Sequence, residues 1–341
     1  MKILAGILLL TVAGIAIPVG YFAAIGFYRG YDVVHGLQTI VETTIIPHKS
    51  RMTISENKVP SVMHDVTWVG DVENHRLSEA SGLAQSAASP ELFFAINDSG
   101  NEPEIFAMDH LGNDLGFWAV DVETNVDWED LASFQYQGEN YLLIADSGDN
   151  FRWRPWIEFL IIKEPDPDTL GLDSVIPVEW QFRMTYPHGY RDSEAVAVDE
   201  ASETIFVVTK RVVPAEVYRI PLKPSTGSVQ ATRMALLNTI PQPNEQDMWE
   251  SPGLGKGRSQ PTALDINGNV AVVFTYKDAY VYKKGWRDNW IESFAKIPVR
   301  IPLPLVYQQE SGLITDNGKH LYVTTEREDG TNRAGLYRVD L

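Results

Sequence analysis

The sequence predicts an all-β protein, a five-bladed β-propeller, on three observations. A short motif, usually a glutamate followed by small and apolar residues, recurs five times along the 341 residues. Each copy is followed by a turn and a dense apolar run, which is typical of a buried strand. Aromatic residues are frequent, and glycine and proline are spread along the chain. Short strands that recur every 40–50 residues or more, roughly, are the signature of a propeller.

The motif copies predict the innermost strand of each blade. They lie at 78–83, 128–132, 193–198, 261–266 and 309–314, and the inner strand of the first blade is predicted at 81–85. The apolar runs predict the second strands, at 92–96, 141–145, 205–208, 270–274 and 321–324.

The outer strands are predicted from weaker patterns. They lie at 104–108 and 115–120, at 156–162 and 178–184, at 217–220 and 234–239, and at 279–282 and 291–297. The fifth blade has only 335–341 as its third strand, and residues 66–72 are predicted to complete it. Pairing the first strand with the last removes the open edge. Six blades are the alternative if the proline-rich segment 242–259, which resembles a loop, contains strands.

The amino-terminal segment predicts a membrane anchor. Residues 3–28 carry no charge, and as a helix of about 1.5 Å per residue they exceed the roughly 30 Å hydrocarbon core. We therefore divide the chain into a transmembrane helix (1–30), a juxtamembrane linker (31–63) and the propeller (64–341). The protein is predicted to span the inner membrane once, through this helix only, with the propeller in the periplasm. The alternative is a signal sequence cleaved near Ala23, followed by secretion.

Composition and missing motifs argue against several classes of function. The formal net charge of -18 disfavours nucleic acid as a partner. The absence of cysteine excludes disulfides, thiolate metal sites and a cysteine nucleophile. No Gly-Xaa-Ser-Xaa-Gly, Walker or His-Glu-Xaa-Xaa-His motif is present, so a serine hydrolase has little support.

The predicted site is a ring at one end of the central channel, because the innermost strands of all blades begin at the same face. The ring comprises Glu79, Glu129, Glu194, Thr262 and Glu310. Converging carboxylates repel one another unless they are protonated, paired or bound to a cation. Oxygen ligands at this density suit Ca²⁺, which takes about 6–8 of them, with the threonine as a weaker ligand. The alternative is that each glutamate caps backbone N–H groups or pairs with a neighbouring cation.

Residues that follow the second strands surround this ring. Lys210, Arg211 and Lys277 are predicted to bind phosphate, and Asp98 or Asp149 to activate water. A metal ion beside basic side chains is an arrangement that binds and polarises a phosphate ester. Salt bridges at the rim are the alternative role for the cations.

Two resemblances bear on these residues. Residues 79–83, 97–100, 127–132, 146–150, 192–195 and 209–210 together resemble a family of exported bacterial propellers labelled phytase-like or esterase-like. That resemblance covers about 64–341, departs at 261–264, and implies the fold. The predicted ring is also similar to that of the calcium-activated nucleotidase (soluble apyrase) family. In both, blades one, two, three and five supply Glu, and blade four supplies a hydroxyl residue. This second resemblance implies five blades, a central Ca²⁺ and basic residues near Lys210 and Lys277.

The leading hypothesis is a calcium-dependent phosphoric-ester hydrolase acting on a small phosphorylated molecule. One alternative is a non-enzymatic scaffold that binds an envelope protein or polymer. Another is a calcium-dependent lactonase or esterase, which needs no basic residues around the metal.

Overall fold

The computed structural model describes Asp32, Val34 and residues 53–168, 174–253, 255–306, 308–315, 318–327 and 333–341. The predicted anchor at 1–30 and most of the predicted linker lie outside these residues. Within the described ranges, no helix combines the length and apolarity that crossing a membrane requires.

The described chain is an all-β propeller of five blades, with two short helices. Strand β1 (Val66–Asp71) precedes the first blade, which comprises β2 (Ala80–Gln85), β3 (Leu92–Asn97), β4 (Glu104–Asp109) and β5 (Asp114–Val120). The second comprises β6 (Trp128–Tyr136), β7 (Glu139–Asp146) and β8 (Ile157–Lys163), then, after a short strand β9 (Val175–Ile176), β10 (Val178–Thr185).

The third blade comprises β11 (Ser193–Asp199), β12 (Thr204–Thr209) and β13 (Glu216–Pro221), then, after β14 (Ser228–Gln230), β15 (Thr232–Leu236). The fourth comprises β16 (Pro261–Asn267), β17 (Val270–Thr275), β18 (Asp278–Lys283) and β19 (Val299–Pro302). The fifth comprises β20 (Gln309–Ile314), β21 (His320–Thr325) and β22 (Gly335–Asp340), completed by β1.

The ring closes as the sequence predicts. Strand β1 pairs antiparallel with β22, with Val66 opposite Val339 and Asp71 opposite Gly335. The segment predicted as a loop at 242–259 contains helix α1 (Glu245–Glu250) and a 3-10 turn (Gly255–Gly257), and its described residues include no strand. The blade count is therefore five rather than six.

The prediction of a strand at 291–297 is wrong. Helix α2 (Trp290–Phe294) occupies this segment, and the fourth strand of the blade is β19. Asn289 caps the helix by accepting the backbone N–H of Glu292 at 3.0 Å. Trp290 and Phe294, four residues apart, are both buried in the core. A cap and one buried helical face outweigh the apolar composition that suggested a strand.

Short strands link neighbouring blades. Strand β9 pairs parallel with β5 of the first blade, and β14 pairs parallel with β10 of the second. Each of these strands comes from the following blade, between its third and fourth strands. The long insertion predicted in the second blade thus becomes a connection to the first.

The hydrophobic core of the described residues consists of five clusters, each between two adjacent blades. Trp128, for example, is fully buried in the cluster between the first and second blades. The inner strands β2, β6, β11, β16 and β20 contact one another in cyclic order around the channel. We call the face at which these inner strands begin the upper face.

Candidate functional site

Every inner strand has a β-bulge one residue after its start. In the second blade, for example, Trp128 lies opposite Asp146 and Asp130 opposite Ala145, so Glu129 is the extra residue. The ladders give the equivalent residues of the five blades as Ser81, Glu129, Glu194, Thr262 and Glu310. Bulges re-aim side chains at the rims of closed sheets. Four of the five predicted ring residues thus occupy one structural position.

Glu79 does not occupy this position, so its predicted equivalence to the other four is wrong. It lies two residues before the bulge residue Ser81, whose hydroxyl donates to the Trp128 carbonyl at 2.8 Å. A Cβ on Gly82 would lie 2.6 Å from the backbone nitrogen of Leu131. A side chain at position 82 would collide with this backbone, so only glycine fits there. The position of Gly82 therefore sets the register of the first inner strand.

Glu79 is instead equivalent to Asp127 and Asp192. The carbonyl of each accepts a backbone N–H from the residue after the second strand, at 2.8, 3.1 and 3.0 Å. Glu79 is exposed, and its carboxylate accepts the Asn101 side-chain amide at 2.6 Å. It therefore lies at the rim of the site.

Carboxylates converge at the upper end of the channel in three overlapping sets. Within each set, one oxygen per residue lies within 4.8 Å of the others. The sets are Asp98, Asp127 and Glu129; Asp98, Glu310 and Glu326; and Glu129, Asp192 and Glu194. We call these residues the mouth cluster. It brings together four of the predicted site residues and adds Asp127, Asp192 and Glu326.

Burial and mutual repulsion perturb the cluster. Burial, with smaller contributions from Glu310 and Glu79, raises the pKa of Asp98 to about 6. Burial and the Asp98 charge raise the pKa of Asp127 to about 7. Burial, followed by the charge of Glu194, holds the pKa of Glu129 well above its ordinary value. The cluster therefore favours a bound cation.

Lys210 lies inside this cluster rather than at its rim. Its ammonium pairs with Glu194, lies 3.8 Å from Glu310 and donates to the Tyr276 hydroxyl at 2.9 Å. Tyr276 in turn donates to Glu310. Burial lowers the pKa of Lys210, but Glu194 and its other anionic neighbours outweigh burial and raise it. Lys210 is thus a built-in counter-charge.

Arg211 and Lys277, the other two predicted phosphate ligands, separate in the structure. Arg211 remains at the mouth, with its Nε 2.5 Å from the Asp192 carboxylate. Lys277 pairs with Asp247 of helix α1 at 2.9 Å and with Glu56 at 3.4 Å. Both of those carboxylates lie outside the mouth cluster, so the prediction that Lys277 joins Lys210 is not supported.

Asp149, predicted to activate water, has a different environment. Its two oxygens accept the backbone N–H groups of Trp153 at 2.9 Å and Arg154 at 2.8 Å. Its own N–H donates to Asp192 at 2.9 Å. Burial raises the pKa of Asp149 to about 7. The carboxylate of Asp149 thus holds the backbone at Trp153 and Arg154, and its backbone N–H orients Asp192.

Two clefts open beside the cluster on the upper face. The first, of about 520 Å³, shares Lys210 and Glu310 with the site. We call it the basic cleft, because Lys210, Arg211, Lys256 and Arg258 line it. The second, of about 660 Å³, shares Asp127 with the site and is lined by Phe151 and Trp153. We call it the aromatic cleft.

The residues at the mouth fit a hard divalent cation. The cluster offers only oxygen donors, which suits Ca²⁺ or Mg²⁺. Thr262, at the bulge position of the fourth blade, is 1% exposed, and its hydroxyl has no hydrogen-bond partner among the described residues. A buried polar atom of this kind costs free energy unless it is satisfied, and a bound ion would satisfy it.

Four residues at the mouth that were not among the predicted site residues carry a signal in the sequence. Asp127 and Asp192 each precede a bulge glutamate by two residues, which gives an Asp-Xaa-Glu pattern in two blades. Glu326 and Tyr276 follow the last residues of β21 and β17, the position that Asp98 and Lys210 occupy in their blades. Aligning the blades by strand ends would have identified all four.

No protein-family model matches the chain, and no curated protein matches it. Solved structures match at low identity. A putative oxidoreductase (glucose dehydrogenase) from Thermus thermophilus is 12% identical over 81% of this chain and 99% of its own, with a TM-score of 0.44. The PQQ-bound aldose sugar dehydrogenase from Streptomyces coelicolor is 12% identical over 83% and 100%, with a TM-score of 0.40. At these TM-scores the likenesses carry no argument about this chain, and the two family resemblances above stay predictions.

Proposed function

We propose that this propeller is a calcium-dependent phosphoric-ester hydrolase with its active site at the upper mouth of the channel. One observation supports it above the others: the mouth cluster directly adjoins a cleft lined by basic side chains, with Glu310 in both and Lys210 of the cleft paired with Glu194 of the cluster. Carboxylate oxygens hold a hard cation, and arginine and lysine bind phosphate oxygens. The two halves of a phosphoesterase site are thus adjacent.

The residues receive the following roles. Glu129, Glu194 and Glu310 hold the ion with help from Thr262, and the bound ion supplies Lewis-acid polarisation of the phosphoryl group. Arg211 and the exposed Lys256 bind the non-bridging oxygens. Lys210 keeps Glu194 and Glu310 together.

Asp98 accepts a proton from the attacking water. The water oxygen bonds to phosphorus as the ester P–O bond breaks, and the leaving alkoxide takes the proton from Asp98, which returns to its carboxylate form. We also propose the location that the sequence predicts, a periplasmic domain on an amino-terminal anchor.

A scaffold is the second candidate, and Lys210 is the observation that favours it. Its ammonium already neutralises part of the charge between Glu194 and Glu310. A cluster balanced in this way needs no ion to fold, and the upper face would then bind an envelope protein or polymer.

Hydrolysis of p-nitrophenyl phosphate and bis-p-nitrophenyl phosphate by the purified full chain tests the proposal. We expect turnover with Ca²⁺, none with chelator, and a loss of at least about 100-fold in Glu129→Gln, since metal polarisation is worth several kcal/mol. Glu91→Gln is the control, because Glu91 is exposed and paired with His110 at 2.6 Å. A folded wild-type protein that binds Ca²⁺ without turning over either ester would leave the scaffold as the better assignment.

A further inference from the structure

The two clefts border the mouth cluster, meet where Arg211 of the basic cleft donates to Asn150 of the aromatic cleft, and differ in character. The basic cleft adjoins the cluster through Lys210 and Glu310, and the aromatic cleft through Asp127. Three segments of the first two blades form the aromatic cleft: residues 99–103 after β3, 123–127 before β6 and 149–154 after β7. A substrate with phosphate at the mouth would extend its other end into this cleft.

Aromatic rings form one wall of the cleft. The ring centroids of Phe151 and Trp153 are 5.2 Å apart, and the ring planes are inclined by 53°. Both residues line the cleft. The faces of such rings attract organic cations, and tryptophan attracts them most strongly.

Acidic side chains also line the cleft, among neutral residues. Glu102 and Glu123 are exposed in the cleft, and Asp127 joins it to the mouth cluster. Among the described lining residues the only basic side chain is Arg154, which is 6% exposed and pairs with Asp146 at 2.7 Å. Its charge is therefore already compensated, and the cleft presents negative charge beside aromatic rings.

We infer that the substrate is the phosphate ester of a cationic amino alcohol, of the choline or ethanolamine class. The phosphate lies between the mouth cluster and the basic cleft, and the ammonium group lies against Trp153, Phe151 and Glu123. The substrate class rests on the proposed function, because it names what the same site hydrolyses. Water adds its oxygen to phosphorus and a proton to Asp98, the P–O bond to the alcohol breaks, and the alkoxide takes that proton and leaves as free amino alcohol.

A pair of isosteric substrates tests this inference on the full chain. Choline phosphate and 3,3-dimethylbutyl phosphate have nearly the same shape, but only the first carries a cationic nitrogen. We expect kcat/KM to be about 10-fold higher for choline phosphate, the size of a cation–π contact. Equal values for the two, or a higher value for the neutral sugar ester glucose 6-phosphate, would overturn the inference.

Two variants test whether the preference for choline phosphate arises in the aromatic cleft. Trp153→Leu and Glu123→Gln should bring the ratio of kcat/KM for the two isosteres close to 1. Glu123→Gln changes an exposed side chain, so it remains informative if the tryptophan variant does not fold. Trp286→Leu is the control, because Trp286 is 89% exposed and lines neither cleft, and its ratio should match wild type. A ratio unchanged in both cleft variants would contradict the assignment.

Calorimetric titration with choline alone separates this inference from the proposed function. Choline binding that Trp153→Leu weakens, without hydrolysis of any ester, would refute the hydrolase and retain the cation cleft. Ester hydrolysis with no choline binding and a ratio of 1 would refute the cleft and retain the hydrolase. If the protein neither hydrolyses an ester nor binds choline, the hydrolase and the cation cleft are both refuted.

Discussion

Two layers of the channel bury carboxylates in opposite surroundings, and two consecutive residues illustrate the difference. Asp130 accepts backbone N–H groups from Leu131 at 2.9 Å, Val196 at 2.7 Å and Leu264 at 3.1 Å. Its carboxylate thereby joins the inner strands of three blades. Glu129, one residue earlier, lies in the mouth cluster. Asp265 belongs to the layer of Asp130, because it accepts the N–H of Ile314 at 2.8 Å.

The pKa shifts express the same contrast. Burial raises the pKa of both carboxyls. For Asp130, hydrogen bonds from the backbone oppose that rise, whereas for Glu129 the charges of Glu194, Asp98 and Asp127 add to it. A buried carboxylate with backbone donors stabilises the fold, and one that is gathered with other carboxylates provides a binding site. Four measurements examine this distinction.

The largest effect is expected for Asp130→Ala. It leaves three buried N–H groups without an acceptor, each costing about 1–3 kcal/mol, so the free energy of unfolding should fall by roughly 3–9 kcal/mol. Urea denaturation in Ca²⁺-free buffer measures this fall. The comparison is Glu129→Ala in the same buffer, which relieves like-charge repulsion and should cost much less. Equal losses of unfolding free energy in the two variants would show that the carboxylates of the two layers contribute equally to stability.

Lys210→Met should have the second largest effect. It removes the cation between Glu194 and Glu310, and breaking a buried ion pair from one side costs about 3–5 kcal/mol. Saturating Ca²⁺ should raise the free energy of unfolding more in this variant than in wild type, because the ion then binds carboxylates that no lysine neutralises. Denaturation curves with and without Ca²⁺ decide this, and an equal recovery in the two proteins would contradict a metal site beside Lys210.

Calcium itself should stabilise the folded protein by a smaller amount. At about 100 times its dissociation constant, a ligand that binds only the folded state adds roughly 2.7 kcal/mol. We expect a higher melting temperature with Ca²⁺ than with chelator, and loss of the difference in Glu129→Gln. Glu91→Gln is the matched control and should keep it. A shift that persists in Glu129→Gln would place calcium elsewhere.

The smallest effect concerns Glu216, a carboxylate with its own donors outside the channel. It accepts bonds from Arg191 and Arg233, both at 2.6 Å. Burial raises the pKa of Glu216, but the bond from Arg191, together with the other bonds and charges around it, outweighs burial and lowers the pKa. Glu216→Gln should therefore lower the free energy of unfolding by about 1–2 kcal/mol at neutral pH.

The pH dependence of that loss follows from the sign of the shift. A carboxyl with a lowered pKa in the folded state stabilises the protein fully above its unfolded pKa, about 4.3 for glutamate. The difference between wild type and Glu216→Gln should therefore shrink as pH falls from about 4.3 through the lower pKa of the folded state. Urea denaturation across this range measures it, and a difference that does not depend on pH would show that the ion pairs contribute nothing.

Local patterns in the sequence were sufficient to predict the architecture. The recurring motif and the apolar runs identify five inner strands and their neighbours, because strand burial follows from hydrophobicity within a few residues. The strand at 66–72 belongs to no other blade and so predicts that it pairs with the last strand, because a ring of blades cannot leave an edge open. The bulge glutamates 129, 194 and 310 were likewise identified from their place in the motif.

Tertiary structure alone decided the register of the first blade and the composition of the mouth. Ser81 rather than Glu79 takes the bulge position because Gly82 must pass the backbone of Leu131, a contact between strands about 50 residues apart. Lys277 leaves the predicted group because Asp247 of helix α1 and Glu56, neither of them in the mouth cluster, lie within ion-pair distance of it. The sequence alone determined the blades, whose patterns are local. The partners of each buried charge depend on contacts between blades, which no local pattern contains.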